Sequence, residues 1–436
     1  MTHSNGTTNG QAFDVEKLAI SPTSPEKIPD LLQRIASHGE DHLTGDRDPQ
    51  ARAKLLETAR NLTYALETPR EAAIRHCWSE STSYAALETC NNLGVFSALA
   101  KGSSPKTVKE LADETGADPV LLGRLMKHLA ATGTIEETGH DEYRRNGFST
   151  ALNVESYSDS IPLMTRRFTK GIMALPEFLK RTNYQNPTSP TDTAFQLGYG
   201  SDMGFFGHVQ QEPLTAKQFN NHMSMYAQGR VRWMDHGFYP FQKQLIDSVV
   251  IKDQDVSLVD VGGSFGHDLA DFRRKWPDVP GRLVLQDLPE VVAAVKDLHP
   301  SIEVMGHDFF TEQPVKGMTA QFNPEPETNI RLSGARAYYM HSILHDWPDD
   351  LCRKILANLT PAMRPGYSKV LLNENVIPDT GAYWETTSLD LIMMEFGSTE
   401  RTERHWRALL ASAGLKIVNI WTAQRGVESL IECELA

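Results

Sequence analysis

One histidine and two glutamates have the side-chain types from which a proton-accepting site can be built. His345 lies in YYMHSILHDWPDD, Glu374 in LLNENVIPD and Glu400 in GSTERTERHW. A lone histidine is more often structural than catalytic, but a carboxylate on one ring nitrogen fixes the tautomer and raises the basicity of the other. These residues therefore predict an oriented general base. Such a base suits a phenol or an enol, because that hydroxyl must lose its proton to become a nucleophile.

A glycine-rich turn precedes this histidine in the chain. The stretch LVDVGGSFGHDLADFRRKWPDVPGRLVLQD places Gly262 and Gly263 between a predicted strand and a predicted helix, and a second strand then ends at Asp287. Glycines let the backbone approach a ligand, and the final carboxylate can accept hydrogen bonds from ribose hydroxyls. The spacing is not G-x-G-x-x-G, so a nucleoside with another tail fits better than a pyrophosphate cofactor. A loop without any ligand is the alternative.

Two further positions after predicted strands have side chains that suit ligand binding. Asp308 and Phe309 follow the third strand, where an acid can accept from an adenine amino group and a phenyl ring can stack on the base. A surface acid beside a core phenylalanine is the other interpretation. Asp346, directly after His345, fits either a ligand contact or a cap for the helix that begins after Pro348.

Strands and helices alternate from residue 246 and predict an open α/β sheet with ligand groups at the carboxyl ends of its strands. The predicted strands are 258–261, 283–286, 302–305, 337–340, 370–373, 417–421 and 429–435. The predicted helices between them are 267–275, 289–298, 350–359 and 403–413. Residues 311–334, with several prolines and glutamates, predict a surface insertion.

The first half of the chain is predicted to be largely helical after a polar, disordered tail over residues 1–25. Apolar residues recur near a 3.6-residue period over 51–66, which indicates a helix that packs on a partner. Residues 108–143 predict a winged helix-turn-helix. A structural module is favoured over DNA binding, because the second helix of this motif offers few basic residues.

Methionine and aromatic side chains are frequent between residues 155 and 245 and again near residue 395. Such residues form plain core more often than a pocket, yet their position beside the predicted cofactor domain makes a substrate wall plausible. The candidates for substrate contact are Met223, Met393 and Phe396.

The composition argues against several classes of protein. A net charge of −13 over 436 residues disfavours a nucleic-acid partner, because phosphate contacts need clustered lysine and arginine. The four cysteines lack metal-ligand spacing, so we expect reduced thiols in a cytoplasmic protein and no metal site. The polar start is not a secretory signal, and no apolar run is long enough to cross a membrane.

Together the motifs LVDVGGSFG, LQDLP, HDFF, HSILHDW, NENVIPD and ERTERHW resemble the plant and fungal O-methyltransferases that use S-adenosylmethionine. The resemblance covers nearly the whole chain. It implies a Rossmann-like, seven-stranded α/β methyltransferase domain over residues 246–436. It also implies a mainly α-helical dimerisation domain with a winged-helix module over residues 26–245, and a homodimer built on that domain.

The resemblance also implies roles for single residues. His345 is expected to be the general base, with Glu374 and Glu400 flanking and orienting it. The residues expected to bind the cofactor are Gly262, Gly263, Asp287, Asp308, Phe309 and His341. Three departures stand out: Ser264 replaces a common third glycine, His341 replaces a lysine of the plant members, and the stretch between Glu374 and Glu400 is shorter than in plants. The serine is acceptable if the backbone φ there is negative.

These expectations combine into one predicted function. The chain is expected to methylate a phenol or enol hydroxyl of a small secondary metabolite, such as a polyketide or an alkaloid, with no nucleic-acid or membrane partner. One alternative keeps the cofactor but catalyses a pericyclic or dehydrating step. Another is a non-catalytic regulator that uses the winged helix.

Overall fold

The chain folds as two compact units, each built from two segments of the sequence. The computed structural model describes residues 7–8, 11–12, 14–45, 48–247, 249–316 and 334–436. One unit comprises Met1–Thr165 and Lys217–Met225, and the other comprises Arg166–Ala216 and Tyr226–Ala436. The sequence placed this division at residue 245. Residues 166–216 join the second unit because their aromatic rings pack there, as Phe195 does 5.5 Å from Phe396.

A seven-stranded sheet forms the centre of the second unit, as predicted. Its strands are β1 (Val256–Val261), β2 (Arg282–Asp287), β3 (Ile302–Gly306), β4 (Ala337–His341), β5 (Lys369–Glu374), β6 (Leu415–Trp421) and β7 (Ser429–Leu435). Their order in the sheet is β6-β7-β5-β4-β1-β2-β3, and only β7 runs antiparallel to its neighbours. The carboxyl ends of the five parallel strands β1–β5 therefore meet at one edge of the sheet.

Both faces of the sheet are buried, which explains the almost continuous apolar sequence of its central strands. Successive residues point to opposite faces, so Val259 and Tyr338 belong to one core while Leu258 and Tyr339 belong to the other. Helices cover these faces. The helices of the second unit that follow β1 in the chain are His267–Lys275, Pro289–Val292, Asp349–Leu359, Trp384–Met394 and Glu403–Ser412. Those that come before β1 include Thr169–Arg181, Ala194–Tyr199 and Phe205–Gln211.

Helices and a small sheet build the first unit. The longer helices are Ile28–Thr44, Pro49–Leu66, Glu80–Asn92, Val108–Thr115 and Pro119–Ala131, with short ones at Val15–Ile20, Pro69–Ile74, Val95–Ala100, Gly147–Ala151, Glu155–Ser158 and Ser160–Leu163. The predicted winged helix is present. Thr107 and Glu110 cap its first helix reciprocally, and the strands Ile135–Gly139 and Glu142–Arg145 form its wing. Pro213–Ala227 contributes residues to both units.

Several predicted elements differ from the observed ones. The predicted disordered tail contains a helix, Val15–Ile20, capped by Asp14. The helix predicted over 289–298 ends at Val292, and Asp297 has a positive φ of 58°, which a continuing helix does not allow. Most of the insertion predicted over 311–334 lies outside the described residues.

The cysteines and the helices bear on the expected location. All four cysteines are free thiols, and three of them are buried, which leaves Cys77 exposed. Among the helices of the described ranges, none has both the length and the apolar character to span a bilayer. The cytoplasmic location stays a prediction.

Candidate active site

The glycine turn, residues 262–266, connects β1 to the helix His267–Lys275 at the carboxyl edge of the sheet. The backbone N–H groups of Gly262 and Gly263 both donate to the carbonyl oxygen of Gln286, at 2.8 and 3.0 Å. A Cβ atom on Gly262 would lie 2.7 Å from Ile343 Cδ1, and one on Gly263 would lie 2.4 Å from the Asp260 carboxylate. The turn therefore requires glycine at both positions because neighbouring groups approach closely, and at Gly262 also because its φ is +76°.

Ser264 does not have the negative φ that the sequence analysis required of it. Its φ is +52°, in the left-handed region that favours glycine. The strain is offset locally, because the Ser264 N–H donates to Asp287 Oδ2 at 2.8 Å. Leu288 N–H donates to the other oxygen, Asp287 Oδ1, at 2.7 Å. Asp287 therefore fixes the turn as well as lying where ribose hydroxyls are expected, and each carboxylate oxygen retains a lone pair for them.

Asp308 and Phe309 lie beside the glycine turn. The Phe309 ring is 3.6 Å from the position that a Cβ of Gly262 would take, so the turn and the ring face each other. Asp308 Oδ1 accepts from Phe310 N–H at 2.9 Å, which holds the acid at the start of its loop. This geometry agrees with a base-stacking ring and a nearby acceptor at the end of β3.

His341 ends β4 and is paired with an acid that the sequence analysis did not select. Its Nδ1–H donates to Asp268 Oδ2 at 2.7 Å, and Tyr339 Oη donates to the same oxygen at 2.7 Å. Burial alone would lower the pKa of His341, but Asp268 outweighs it and raises that pKa to about 9. Burial opposes the charge on Asp268 as well, yet His341 lowers its pKa to about 2. The pair is therefore an imidazolium and a carboxylate at neutral pH.

Asp260 lies beneath the glycine turn and is 1% exposed. Its Oδ2 has no hydrogen-bond partner among the described residues. Burial, with the nearby Asp268, raises the pKa of Asp260 well above its ordinary value. The raised pKa favours the neutral form of Asp260, so its acidic neighbours Asp268 and Asp287 are the groups that fit a ligand with positive charge, such as the ammonium and sulfonium groups of S-adenosylmethionine.

His345 lies between two carboxylates in the base loop, residues 343–347, which follows β4. Its Nδ1–H donates to Glu400 Oε1 at 2.8 Å, and its Nε2 is 3.5 Å from Asp346 Oδ1. Burial opposes protonation, but Asp346 and Glu400 outweigh it and raise the pKa of His345 to about 10. The ring is therefore strongly basic, and Glu400 fixes Nδ1 as the nitrogen that keeps its proton when Nε2 is free to accept one. Asp346 faces this ring, and the following helix, Asp349–Leu359, begins after its N-cap residue Pro348 without a side-chain capping hydrogen bond.

Glu374 plays a different part from the one predicted. Its carboxylate is 1% exposed and does not bond to the His345 ring. Instead, Glu374 Oε1 accepts from the backbone N–H groups of Ile343 and Leu344, at 3.1 and 2.8 Å. Burial raises the pKa of Glu374 to about 7, against the lowering effect of His345. Glu374 thus orients the backbone next to His345, while Glu400 orients the His345 ring.

Arg401 is a site residue that the sequence analysis missed. It is 2% exposed, and its guanidinium donates to the carbonyl oxygens of Leu344 and Trp347, both at 2.8 Å. Its Nε donates to Asp349 Oδ1 at 3.0 Å. Arg401 therefore fastens both ends of the base loop. The available signal was its position next to Glu400 in ERTERHW, although sequence alone did not distinguish it from the exposed arginines that follow.

The predicted substrate residues lie in different surroundings. Met393 is 8% exposed at the end of the helix Trp384–Met394. The ring of Phe396 packs 5.7 Å from Phe168 and 5.3 Å from Phe205, within an aromatic cluster of the second unit. Met223 belongs to the first unit and is 41% exposed. Core packing accounts for the contacts of Met393 and Phe396, and the role of all three in substrate binding stays a prediction.

Comparisons with known proteins identify the family of the chain. The family described as O-methyltransferase domain matches residues 327–416, and the O-methyltransferase dimerisation domain matches residues 78–154. Methyltransferase cfoC of Aspergillus candidus is 36% identical over 93% of this chain and 98% of its own length. Demethylsterigmatocystin 6-O-methyltransferase of Aspergillus parasiticus is 36% identical over 75% of this chain and 78% of its own length.

Solved structures of similar fold include complexes with S-adenosylmethionine and with sinefungin. LepI in complex with S-adenosylmethionine has a TM-score of 0.78 and 29% identity, covering 94% of this chain and 99% of that one. A chain titled a pericyclic reaction enzyme has the same TM-score and identity, covering 94% and 100%. OxaC in complex with sinefungin and meleagrin has a TM-score of 0.77 and 26% identity, covering 94% and 99%. The protein belongs to the fungal O-methyltransferases of secondary metabolism, and S-adenosylmethionine is its cofactor.

Proposed function

We propose that the chain methylates a phenol or enol hydroxyl of a small secondary metabolite and that His345 is the general base. The observation that supports this most directly is the position of His345, with Glu400 on Nδ1 and the other ring nitrogen facing away from that bond. A ring held in this way accepts a proton on Nε2. The relatives named O-methyltransferases support a hydroxyl as the methyl acceptor.

The residues around His345 have different roles in the proposed reaction. S-adenosylmethionine supplies an activated methyl group, so the protein mainly aligns the acceptor oxygen and accepts its proton. His345 Nε2 takes that proton as the oxygen becomes nucleophilic, which adds about 10² to 10⁴-fold to the rate. Glu400 and Asp346 stabilise the resulting imidazolium, since both carboxylates flank the ring. Glu374 and Arg401 are positioning residues, because each acts through the base-loop backbone.

The cofactor is proposed to lie along the carboxyl edge of β1–β4. Gly262 and Gly263 give the backbone room, Asp287 accepts from the ribose hydroxyls, and Asp308 and Phe309 hold the adenine. His341 completes this set: Asp268 occupies its Nδ1, so its Nε2–H is the free donor for the carboxylate of the methionine portion. Met393, Phe396 and Met223 are proposed to contact the acceptor.

A pair of matched variants tests the base. His345→Ala should lower turnover by about 10² to 10⁴-fold while the Kd for S-adenosylmethionine stays near the wild-type value. His405→Ala is the control, because His405 is exposed on the helix Glu403–Ser412. Methyl transfer from labelled cofactor to a panel of phenols and enols measures turnover, and calorimetry measures the Kd. Full turnover in His345→Ala would remove the base assignment.

The similarity to a pericyclic reaction enzyme keeps a second function worth testing. An enzyme of that kind would bind the cofactor and form product without consuming it. The complete set of His345, Glu400 and Asp346 favours methyl transfer. One molecule of S-adenosylhomocysteine per molecule of product is the expected result, and product without S-adenosylhomocysteine would favour the second function.

We also propose that two copies of the chain pair through the first unit. The dimerisation-domain match supports this, as do large apolar side chains exposed on that unit, such as Leu43 at 85% and Trp78 at 64%. Sedimentation analysis should give twice the chain mass of 48.7 kDa. A monomer at micromolar concentration would contradict the pairing.

A further inference from the structure

A cavity outside the site described above lies in the same unit as the base loop, and we call it the outer groove. It encloses about 940 Å³, at the upper end of the range of roughly 300–1,000 Å³ for small-molecule sites. It begins one residue beyond Glu374, at Asn375, and is lined by residues from the turn after β5, the start of the helix Glu403–Ser412 and the loop between β6 and β7. As the described residues define it, the lining contains neither His345 nor the glycine turn.

The groove has more positive than negative groups, although the chain carries a net charge of −13. Its lining contains the side chains of Arg404, Arg407, Arg425, Asp379 and Glu403. The pairs between these groups are exposed: Arg404, 76% exposed, lies 3.2 Å from Asp379, and Arg407, 54% exposed, lies 2.6 Å from Glu403. Exposed pairs contribute only about 0–1 kcal/mol each. The guanidinium groups can therefore leave these pairs and bind an anionic ligand at a small cost in free energy, and their forked geometry suits a carboxylate.

One aromatic ring in the groove is held in place before any ligand binds. The Arg425 guanidinium lies 5.7 Å from the centroid of the Tyr383 ring, and it donates to the carbonyl oxygen of Gly381. On Gly426, a Cβ atom would lie 2.2 Å from Tyr383 Cδ1, so the ring packs directly on this glycine backbone. A fixed ring beside a guanidinium provides a flat surface for another aromatic ring.

The inner wall of the groove has apolar side chains and two hydroxyl groups that bond to each other. Val376, Ile420 and Val427 provide the apolar surface. The hydroxyls of Thr422 and Ser429 bond to each other at 2.7 Å. The groove thus combines an apolar wall, a flat ring and cationic groups at one side.

From these features we propose that the outer groove binds a small planar molecule that carries an anionic group, such as an aromatic carboxylate, at a site separate from His345. The apolar wall and Tyr383 contact the planar part of the molecule. Arg404 and Arg407 bind its anionic group. The proposal does not depend on which acceptor the enzyme methylates, because the groove is a binding site in its own right.

A matched pair of probes tests the charge requirement. Naphthalene-2-carboxylate and naphthalene-2-carboxamide have nearly the same shape, so calorimetry on the full chain at low salt isolates the effect of the anion. We expect the carboxylate to bind at least tenfold more tightly, which corresponds to about 1.4 kcal/mol. Equal affinities would overturn the proposal.

Two double variants identify the groove as the site. Arg404→Gln with Arg407→Gln should weaken carboxylate binding at least tenfold, and both positions are exposed enough to keep the fold. Arg274→Gln with Arg282→Gln is the control: these arginines are also exposed and paired with acids, 71% and 41% exposed, but they do not line the groove. An equal loss in both double variants would show a general charge effect and overturn the proposal.

Competition distinguishes the groove from the methyl-transfer site. Saturating S-adenosylhomocysteine should leave the affinity for naphthalene-2-carboxylate within about twofold, whereas Thr380→Trp, which places a large side chain in the groove, should abolish binding. Thr380 is exposed and lines the groove, so this change does not disturb the core. Displacement of the probe by S-adenosylhomocysteine, or full binding by Thr380→Trp, would overturn the proposal.

Discussion

The glycine turn and the base loop reach the same edge of the sheet but are held there in different ways. The turn is anchored by its neighbour in the sheet, since Gly262 and Gly263 donate to the backbone of Gln286. The base loop is anchored by side chains that come from 30 and 57 residues further along the chain, as Glu374 and Arg401 bond to Leu344. One geometry follows from local residue types, whereas the other depends on long-range packing. Substitutions in the two regions should therefore change stability, cofactor affinity and turnover in different ways.

Arg401→Met should have the largest effect on stability, because it releases the base loop and the start of the following helix together. The change removes the guanidinium donor from the carbonyl oxygens of Leu344 and Trp347 and removes the bond to Asp349. We expect a loss of about 3 kcal/mol in the free energy of unfolding, measured by urea denaturation, and a parallel loss of turnover. Arg404→Met, at an exposed position, should change stability by less than about 0.5 kcal/mol. Similar values for the two variants would contradict the anchoring role.

Gly263→Ala tests the turn. Its added Cβ would lie 2.4 Å from the Asp260 carboxylate and 2.6 Å from Leu285 Cδ1, so the neighbours must shift. A loss of about 2 kcal/mol in the free energy of unfolding and a weaker Kd for S-adenosylmethionine are expected. Gly123→Ala is the control. A Cβ atom on this helical glycine would lie 3.8 Å from the nearest side chain, so the change should raise the free energy of unfolding by about 0.5–1 kcal/mol. Unchanged cofactor affinity in Gly263→Ala would place the ligand elsewhere.

Glu400→Gln tests the ring of the base through pH. The base acts in its neutral form, so kcat/KM should rise with pH towards the pKa of His345, which its carboxylates raise to about 10. Removing one carboxylate lowers this pKa, so the rising limb should move to lower pH while the plateau falls at least about tenfold. Glu403→Gln, a change in the lining of the outer groove, should leave the profile unchanged. A limb that moves to higher pH would refute the assignment.

Ser264→Gly should have the smallest effect, and it should stabilise. The φ of +52° costs a serine about 1 kcal/mol relative to glycine, and the N–H bond to Asp287 survives the change. The melting temperature should therefore rise. Ser388→Gly is the control, since Ser388 lies inside the helix Trp384–Met394 and its replacement should lower stability by a similar amount. A lower melting temperature for Ser264→Gly would show that the hydroxyl itself contributes.

The same contrast explains how far the sequence predicted the structure. The strands and the helix His267–Lys275 were predicted closely, because apolar runs and glycine punctuation are local signals. The helix after β2 was predicted too long, because nothing local marked the positive φ of Asp297. The role of Glu374 and the presence of Arg401 in the site escaped prediction for the opposite reason. Both act on backbone groups that only the folded chain brings near them.

The sheet order has a consequence for how the protein is made. β7 contains the last residues of the chain, yet it pairs with β5 on one side and β6 on the other, and Ser429 lies opposite Glu374. During synthesis, β5 therefore lacks its outer partner until β7 has also been made. The glycine turn can form earlier, whereas the strand that carries Glu374 gains its second neighbour later than the other parallel strands of the described sheet gain theirs. A truncation that removes β7 would thus leave β5 unpaired along one side, at the strand whose glutamate holds the backbone of Ile343 and Leu344.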